Sequence, residues 1–356
     1  MKVAIPLTQY TQRPLAFVSR FWAWLFLLAL IVFFSITGQG FFDIFNFQSI
    51  GADMAIVLIM GLGQTFVIIS GGIDLSTGYV MGLSAVVTAL AMNRLGSHAP
   101  LPLVVLVGLV SGVVAGLIPG LLNGILIARL RVPPFIVTLG MLGIARGAGF
   151  ILSGGQPVSV QIDGIGQLGN GNLAYYLPGV GLNFFNLPTN LHGLRARDIV
   201  NILPYPLILL IVLVFFCHWL LSRTRFGRHT YAVGGNRAAS LRAGIPVVRH
   251  TIVVYLLSAL LASLAGVLYV LRFTNGAANA GDALLLDSIA AVVIGGASLF
   301  GGEGTIIGTL IGALIIAVIQ NGLVIIAIDP FWQFVAVGSV IILAVLVDQA
   351  KTRVEE

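Results

Sequence analysis

Charge is scarce in this sequence. Its 12 acidic and 18 basic residues make up 8% of 356, against about 25% in a soluble domain. So few charges cannot cover the surface of a soluble fold of this length, so lipid must be the solvent for most of the exterior. Cysteine is scarcer still: Cys217 stands alone in an apolar run, which excludes an intramolecular disulfide and a thiolate metal cluster. Lysine occurs only as Lys2 and Lys351, neither preceded by glycine. A phosphate-binding loop of the G-x-x-x-x-G-K-[ST] type therefore cannot be built from this chain, and ATP-driven work would need another polypeptide. The histidines His98, His192, His218, His229 and His250 are scattered, with no H-E-x-x-H pair, and no G-x-S-x-G elbow occurs. No metal site and no catalytic constellation is expected.

What is abundant is apolar sequence: 58% of residues are hydrophobic, with a mean hydropathy of +1.06. A membrane span needs about 20 mostly apolar residues to cross a core of about 30 Å. Candidate spans lie near 21–37, 52–69, 73–92, 101–119, 133–152, 203–221, 251–271, 284–300, 305–326 and 332–348. The expectation is an all-α polytopic membrane protein of about ten transmembrane helices. The first run, with Trp22 and Trp24 inside it, reads as an uncleaved span rather than a signal peptide. Orientation follows from the rule that Lys and Arg stay cytoplasmic. With the amino terminus inside, the inner segments hold Lys2, Arg13, Arg20, Arg129, Arg131, Arg223, Arg225, Arg228, Arg237, Arg242, Arg249, Lys351 and Arg353. The outer segments hold only Arg94, Arg195, Arg197 and Arg272, and Arg146 falls within a span. Both termini are thus expected in the cytoplasm: residues 1–20 as an N-terminal segment, 21–348 as the transmembrane domain and 349–356 as a tail. The net charge of +6 is topological, which removes nucleic acid as a partner.

Two loops stand out. Residues 153–202, Gly/Asn-rich and containing Asp163 and Asp198, are expected to form an outer cap. Residues 222–250 carry six arginines and no acid, which is costly within lipid, so they belong in the cytoplasm. Asn236 there suits a helix N-cap and Gly244 a stop, predicting a short projecting helix through Arg237, Ala238, Ala239 and Arg242.

Glycines recur every four residues at 108, 112, 116, 120 and 124, and again at 304, 308 and 312. In an apolar helix this makes a flat stripe for close helix packing; Pro119 predicts a kink or helix end. Gly71-Gly72, followed by Asp74 and Ser76, and Gly295-Gly296, followed by Ser298, place matching breaks in two halves of the chain, as a duplicated transporter core would. Asp74 reads as an N-cap meeting the positive end of the next helix dipole. Intramembrane acids suited to ion coupling are few. Neutral polar residues (Gln64, Asn123, Thr138, Asn279, Gln320 and Asn321, beside Phe135) suit a passage for an uncharged, hydroxyl-rich solute, or else hydrogen bonds between helices. Arg146 is expected to pair with backbone carbonyls or an acid.

Four stretches together resemble a known family. They are Gly63–Ser76; Leu122-Asn123-Gly124 through Val132-Pro133-Pro134-Phe135-Ile136-Val137-Thr138-Leu139-Gly140; Phe226-Gly227-Arg228 through Gly234-Gly235-Asn236 to Gly244-Ile245; and Asp287–Gly296 running on to Asn321-Gly322-Leu323. In this order they resemble the permease subunits of bacterial ABC sugar importers of the ribose, xylose and galactose group. The resemblance implies two permease copies or sister chains in the inner membrane, two ATPase subunits beneath that bind ATP and Mg, and an extracytoplasmic sugar-binding protein. It also implies that Asn236–Gly244 is the coupling helix that seats in the ATPase, and that this chain holds no cofactor. Glu303 departs from the family, whose members often carry a basic or neutral residue in that Gly-Gly-x-Gly turn. The competing readings are an ion-coupled secondary transporter acting without an ATPase, and a membrane scaffold or enzyme.

Overall fold

The computed structural model describes residues 8–185, 187, 199–329 and 331–355; Lys2, His192, Arg195, Arg197 and Asp198 lie outside them. The described chain is helical almost throughout. In order it forms α1 (Thr8–Thr37), α2 (Ile44–Ile69), α3 (Thr77–Leu95), α4 (Leu101–Ala128), α5 (Pro134–Ser153), α6 (Ile165–Asn170), α7 (Tyr205–Arg223), α8 (Arg225–Gly235), α9 (Arg237–Arg242), α10 (Val247–Phe273), α11 (Asp282–Ile294), α12 (Ile306–Ile325) and α13 (Trp332–Glu355). Seven of these, α2, α3, α4, α5, α7, α10 and α12, are long and apolar enough to cross a membrane. Shorter apolar stretches run through Trp22–Thr37 and Trp332–Ala344. The protein is an all-α, multi-pass membrane protein.

α2 is the axis of the bundle. From Met54 to Ile69 every residue is buried, as an all-round apolar helix should be; α7, α10, α11 and α12 pack against it. α4 lies outside this core and is two-faced. Leu103, Leu106, Val110, Val114 and Ile118 are exposed on one side, where lipid is their natural solvent. The five glycines occupy the other. Gly108 abuts Met92, and Gly112 abuts Ser84 and Thr88 of α3. Gly116, Gly120 and Gly124 abut Ser263, Ala259 and Ile252 of α10. The stripe is a packing surface.

Several expectations need correction. α4 does not end at Pro119; it continues to Ala128 with Pro119 buried inside. Close packing of its glycines on α10 at either side of the proline keeps the chain helical, as neighbouring helices do for prolines in membrane spans. The span placed at 284–300 is not one helix. α11 stops at Ile294 after 13 residues, about 20 Å of rise, short of the ~30 Å core. The apolar run continues as a turn, with Gly296 at φ +88°. Asp74 is not an N-cap residue: α3 starts at Thr77, and Ser76 occupies the cap position.

The two helix breaks do share a geometry. Gly71 N–H donates to Ile68 O (2.9 Å) and Gly72 N–H to Val67 O (3.0 Å). Gly296 N–H donates to Val293 O (2.9 Å) and Ala297 N–H to Val292 O (3.1 Å). Both are Schellman closures, and both put a glycine at positive φ, which costs a residue with a Cβ.

At one end of the bundle, the segment expected as an outer cap contains secondary structure. α6 is followed by an antiparallel sheet of order β3-β2-β4, with β2 at Asn172–Leu177, β3 at Gly181–Phe184 and β4 at Val200–Pro204. β2 alternates buried and less buried residues, the period-two signal of a strand. β1 (Val158–Ser159) pairs with β5 (Asn275–Gly276). The Gln48 carboxamide donates to the Asn201 carbonyl, tying the sheet to the start of α2. At the other end, 222–250 is not a loop with one short helix but two helices. α8 precedes α9, capped by Thr224 Oγ1, which accepts from Gly227 N–H (3.4 Å). Phe226 packs against Phe66 of α2 (centroids 5.8 Å apart) and His250 of α10 (4.7 Å).

Candidate functional site

α9 is a single exposed turn and a half held by local chemistry. Asn236 Oδ1 accepts from Ala239 N–H at 2.8 Å, satisfying one of the orphan donors of a helix start. Gly244, at φ +81°, closes the other end with Gly244 N–H to Leu241 O (3.1 Å) and Ile245 N–H to Ser240 O (3.0 Å). Arg237, Ala238, Ala239, Leu241 and Arg242 are exposed, and Ser240 is buried. The exposed face is small, basic and without a partner within the described chain.

α9 follows directly from α8, and the last turn of α8 sits on both helix breaks. A Cβ on Gly234 would overlap the Ile69 carbonyl and crowd the Gly302 amide. Gly301, at φ +88°, lies against Gly71 and the Gly234 carbonyl. Gly302 N–H donates to Ile69 O at 2.8 Å. Three segments therefore meet backbone to backbone: the end of α2, the end of α8, and the turn between α11 and α12. Tyr231 adds a fourth tie, its hydroxyl donating to Gly304 O at 2.7 Å. Burial holds that phenol above its ordinary pKa, so it remains a neutral donor.

The first break is pinned further in. The Asp74 carboxyl, 1% exposed, accepts at Oδ1 from Ser76 N–H (3.0 Å) and Ser76 Oγ (2.6 Å), and at Oδ2 from Ser258 Oγ of α10 (3.0 Å). Gln64 Nε2 donates to Asp74 O (2.5 Å) and Thr77 Oγ1 (2.9 Å), and Asn123 Nδ2 to Ser76 Oγ (2.9 Å). Thr138 Oγ1 lies 3.3 Å from Ile73 O. Buried polar groups in an apolar bundle must find such partners. The cluster ties α2, α3, α4, α5 and α10 together, and the Tyr255 hydroxyl is buried nearby, under Gly72, without a partner among the described residues.

The residues considered for a solute passage are thus not one site. Gln64, Asn123 and Thr138 gather around the Asp74 turn. Phe135 is exposed in the first turn of α5, Asn279 is exposed in the turn before α11, and Asn321 lies on α12. Arg146 finds neither an acid nor a carbonyl as its nearest described partner. Its guanidinium stands 5.4 Å from the Tyr79 ring centroid, a cation–π contact. Sequence reasoning missed Gly234, Gly301 and Gly302 as a junction; their doublets were visible, but nothing local says that they meet.

Residues 46–347 match the family described as branched-chain amino acid transport system / permease component. This chain belongs to that permease family. Within it, the chain is 39% identical over 329 residues to a ribose import permease protein of Bacillus subtilis, covering 92% of this chain and 91% of that one. It is 38% identical over 322 residues to a fructose import permease protein of Rhizobium meliloti, covering 90% and 82%. A xylose transport system permease protein of Escherichia coli is 33% identical over 362 residues, covering 92% and 91%. No solved structure matches the chain.

Proposed function

We propose that this chain is the membrane-spanning subunit of an ATP-binding-cassette importer that carries a sugar or sugar-like solute (a pentose, hexose or polyol) into the cytoplasm. It sits in the inner membrane of a bacterium, α8 and α9 on the cytoplasmic side and the sheet outside. It works beside a second permease copy or sister permease, above two ATPase subunits that bind ATP and Mg, and beneath an extracytoplasmic sugar-binding protein. The observation that carries this reading is the seating of α9. An exposed, capped, basic helix is joined through α8 to both helix breaks, so a partner gripping α9 has a rigid route to the middle of the bundle.

The mechanism follows from that connection. Closure of the ATPase around ATP displaces α9; α8 moves with it, and Gly234 and Tyr231 carry the displacement to the end of α2 and the turn between α11 and α12. Packed helices are bistable rather than continuously deformable, so the bundle exchanges one packing for another. The ATPase shifts that equilibrium only as far as it binds one packing better than the other. The side chains that gather at the Asp74 turn, Gln64, Ser76, Thr77, Asn123 and Ser258, are uncharged, and the Ser76 and Ser258 donors satisfy the Asp74 carboxyl. They suit a cargo whose hydroxyls both donate and accept. A zwitterionic amino acid would need counter-charges of both signs.

The test is co-purification of the tagged chain from its native membranes in mild detergent, followed by uptake measurements in vesicles holding the purified assembly. Recovery of a P-loop ATPase and ATP-dependent uptake of a labelled sugar support the reading. Uptake driven by a proton or sodium gradient, with no ATPase recovered after crosslinking, overturns it in favour of a secondary transporter.

A further inference from the structure

Two cavities open at the sheet-bearing end of the bundle, and they share one residue. The first, about 250 Å³, lies between α2, α12 and the start of α13. Ile50, Val57 and Ile316 give it apolar walls, and Gln320, Asn321 and Gln333 line it with carboxamides. The second, about 220 Å³, lies between the first turns of α2, α6, the sheet and the end of α10, with Gln48, Asn170, Asn172 and Asn201 in its lining. Asp53 lines both. Its Oδ1 accepts from Arg272 Nη2 at 2.8 Å, while Arg272 Nη1 donates to the Ala52 carbonyl. Asp53 is thus common to the two linings, and Arg272 reaches it from the second cavity.

The lining chemistry is specific. Asp53 and Arg272 are the charged side chains in these two linings, and each neutralises the other, so no net charge is offered to a ligand. The remaining polar groups are carboxamides and the Ser49 hydroxyl, which donate and accept together as sugar hydroxyls do. In the first cavity the carboxamides are held in place: Gln320 Nε2 donates to Asp287 Oδ2 (2.9 Å) and Gln333 Nε2 to Gln320 O (3.3 Å). Asn321 Oδ1 is buried there without a partner among the described residues. The apolar walls suit the C–H faces of a ring. Each volume falls below the roughly 300–1,000 Å³ of pockets for drug-sized ligands, which fits one small ring. The first cavity follows α12 from Val324 to Ala313, about 16 Å along the helix and so about half of a 30 Å membrane core.

We propose that the two cavities are successive subsites for one neutral, polyhydroxylated, single-ring solute, and that the Arg272–Asp53 pair is the partition between them. This rests on the importer reading above and deepens it. A solute arriving at the sheet end occupies the polar cavity beside the sheet first. Opening of the ion pair admits it to the cavity along α12, where carboxamides take over its hydroxyls.

The experiment uses the whole assembly in vesicles, with Cys217→Ala as background and a single cysteine placed by Ser49→Cys or Ala317→Cys, one in each cavity. Labelling by a membrane-impermeant methanethiosulfonate is timed with D-ribose, D-fructose or L-leucine present. At ten times its half-saturating concentration, the transported sugar is expected to slow labelling about tenfold at both positions by mass action, and leucine to leave it unchanged. Arg272→Gln is expected to speed labelling at position 317 and leave position 49 as it was. Unchanged labelling at both positions, in vesicles that do import the sugar, overturns the subsites while the importer reading stands. Protection by leucine alone overturns the solute class. Failure of wild-type vesicles to import any sugar removes the importer reading and this proposal with it. If Arg272→Gln does not reach the membrane, Arg272→Lys, which keeps the charge and loses the fork, carries the partition test: an unchanged rate at 317 overturns the partition.

Discussion

The amide of Gly302 and the carbonyl of Ile69 lie 2.8 Å apart, so the turn joining α11 to α12 closes the end of α2. Gly234 of α8 fills the remaining space, against both. Three backbones in contact leave no side chain free to change rotamer and absorb a displacement. A movement of α8 therefore reaches both breaks together.

Gly234→Val tests that rigidity. The new side chain must overlap the Ile69 carbonyl, an overpacking that costs roughly 1–3 kcal/mol. Sugar uptake is expected to be lost while the ATPase subunits stay bound, and their hydrolysis should stop responding to the solute. Gly235→Ala is the control: nothing lies within 4 Å of a Cβ there, and uptake should be normal. Equal uptake in both variants at equal membrane abundance contradicts a mechanical role for the junction.

Asn236→Ala removes the side-chain acceptor for Ala239 N–H, worth about 1 kcal/mol of helix stability. The loosened α9 is expected to weaken ATPase binding several-fold, and Asn236→Ser or Asn236→Asp to restore it. Titration of the detergent-solubilised permease with its ATPase reads this directly. Ala239→Asp places an acid on the exposed face of α9 and should abolish uptake without affecting membrane insertion.

Asp74→Leu leaves the Ser76 amide and the Ser258 hydroxyl buried without their acceptor, at about 1–3 kcal/mol each. Asp74→Asn keeps one acceptor oxygen and is expected to cost less. Thermal unfolding in detergent should rank the Tm values wild type, Asn, Leu in descending order. The reverse ranking of the two variants would show that the carboxyl is not held for its hydrogen bonds.

Gly112→Leu drives a side chain into Ser84 and Thr88 of α3, whereas Val114→Leu points into the lipid-facing ridge of the same helix. Membrane abundance is expected to collapse for the first and stay unchanged for the second. Immunoblots of membrane fractions compare them.

Much of this was legible before any fold was known, because it depends on neighbours in sequence. Apolar runs long enough to span, the cap at Asn236, the stop at Gly244 and the four-residue glycine spacing on α4 are all local. The end of α11 was not legible. Ala297, Leu299 and Phe300 continue its apolar run, and hydropathy does not distinguish a helix from a turn that buries Ala297 and leaves Leu299 and Phe300 exposed. α8 was hidden by its arginines, which mark a solvated segment whether it is helix or loop. The strands of the sheet were masked by the glycines and asparagines around them.

Composition and spacing alone establish that the chain lives in lipid and where its helices approach closely. Each of these follows from the transfer cost of a side chain or the conformational limits of a short segment. They are silent on partners. That Gly234 meets Gly71 and Gly301, that Gln64 and Asn123 gather at Asp74 while Asn279 and Asn321 stand apart, and that Asp53 finds Arg272 219 residues away are set by the folded chain. Such contacts are specified by the simultaneous packing of all the helices around α2. A residue's polarity says that it must find a partner, and the assembled bundle determines which one.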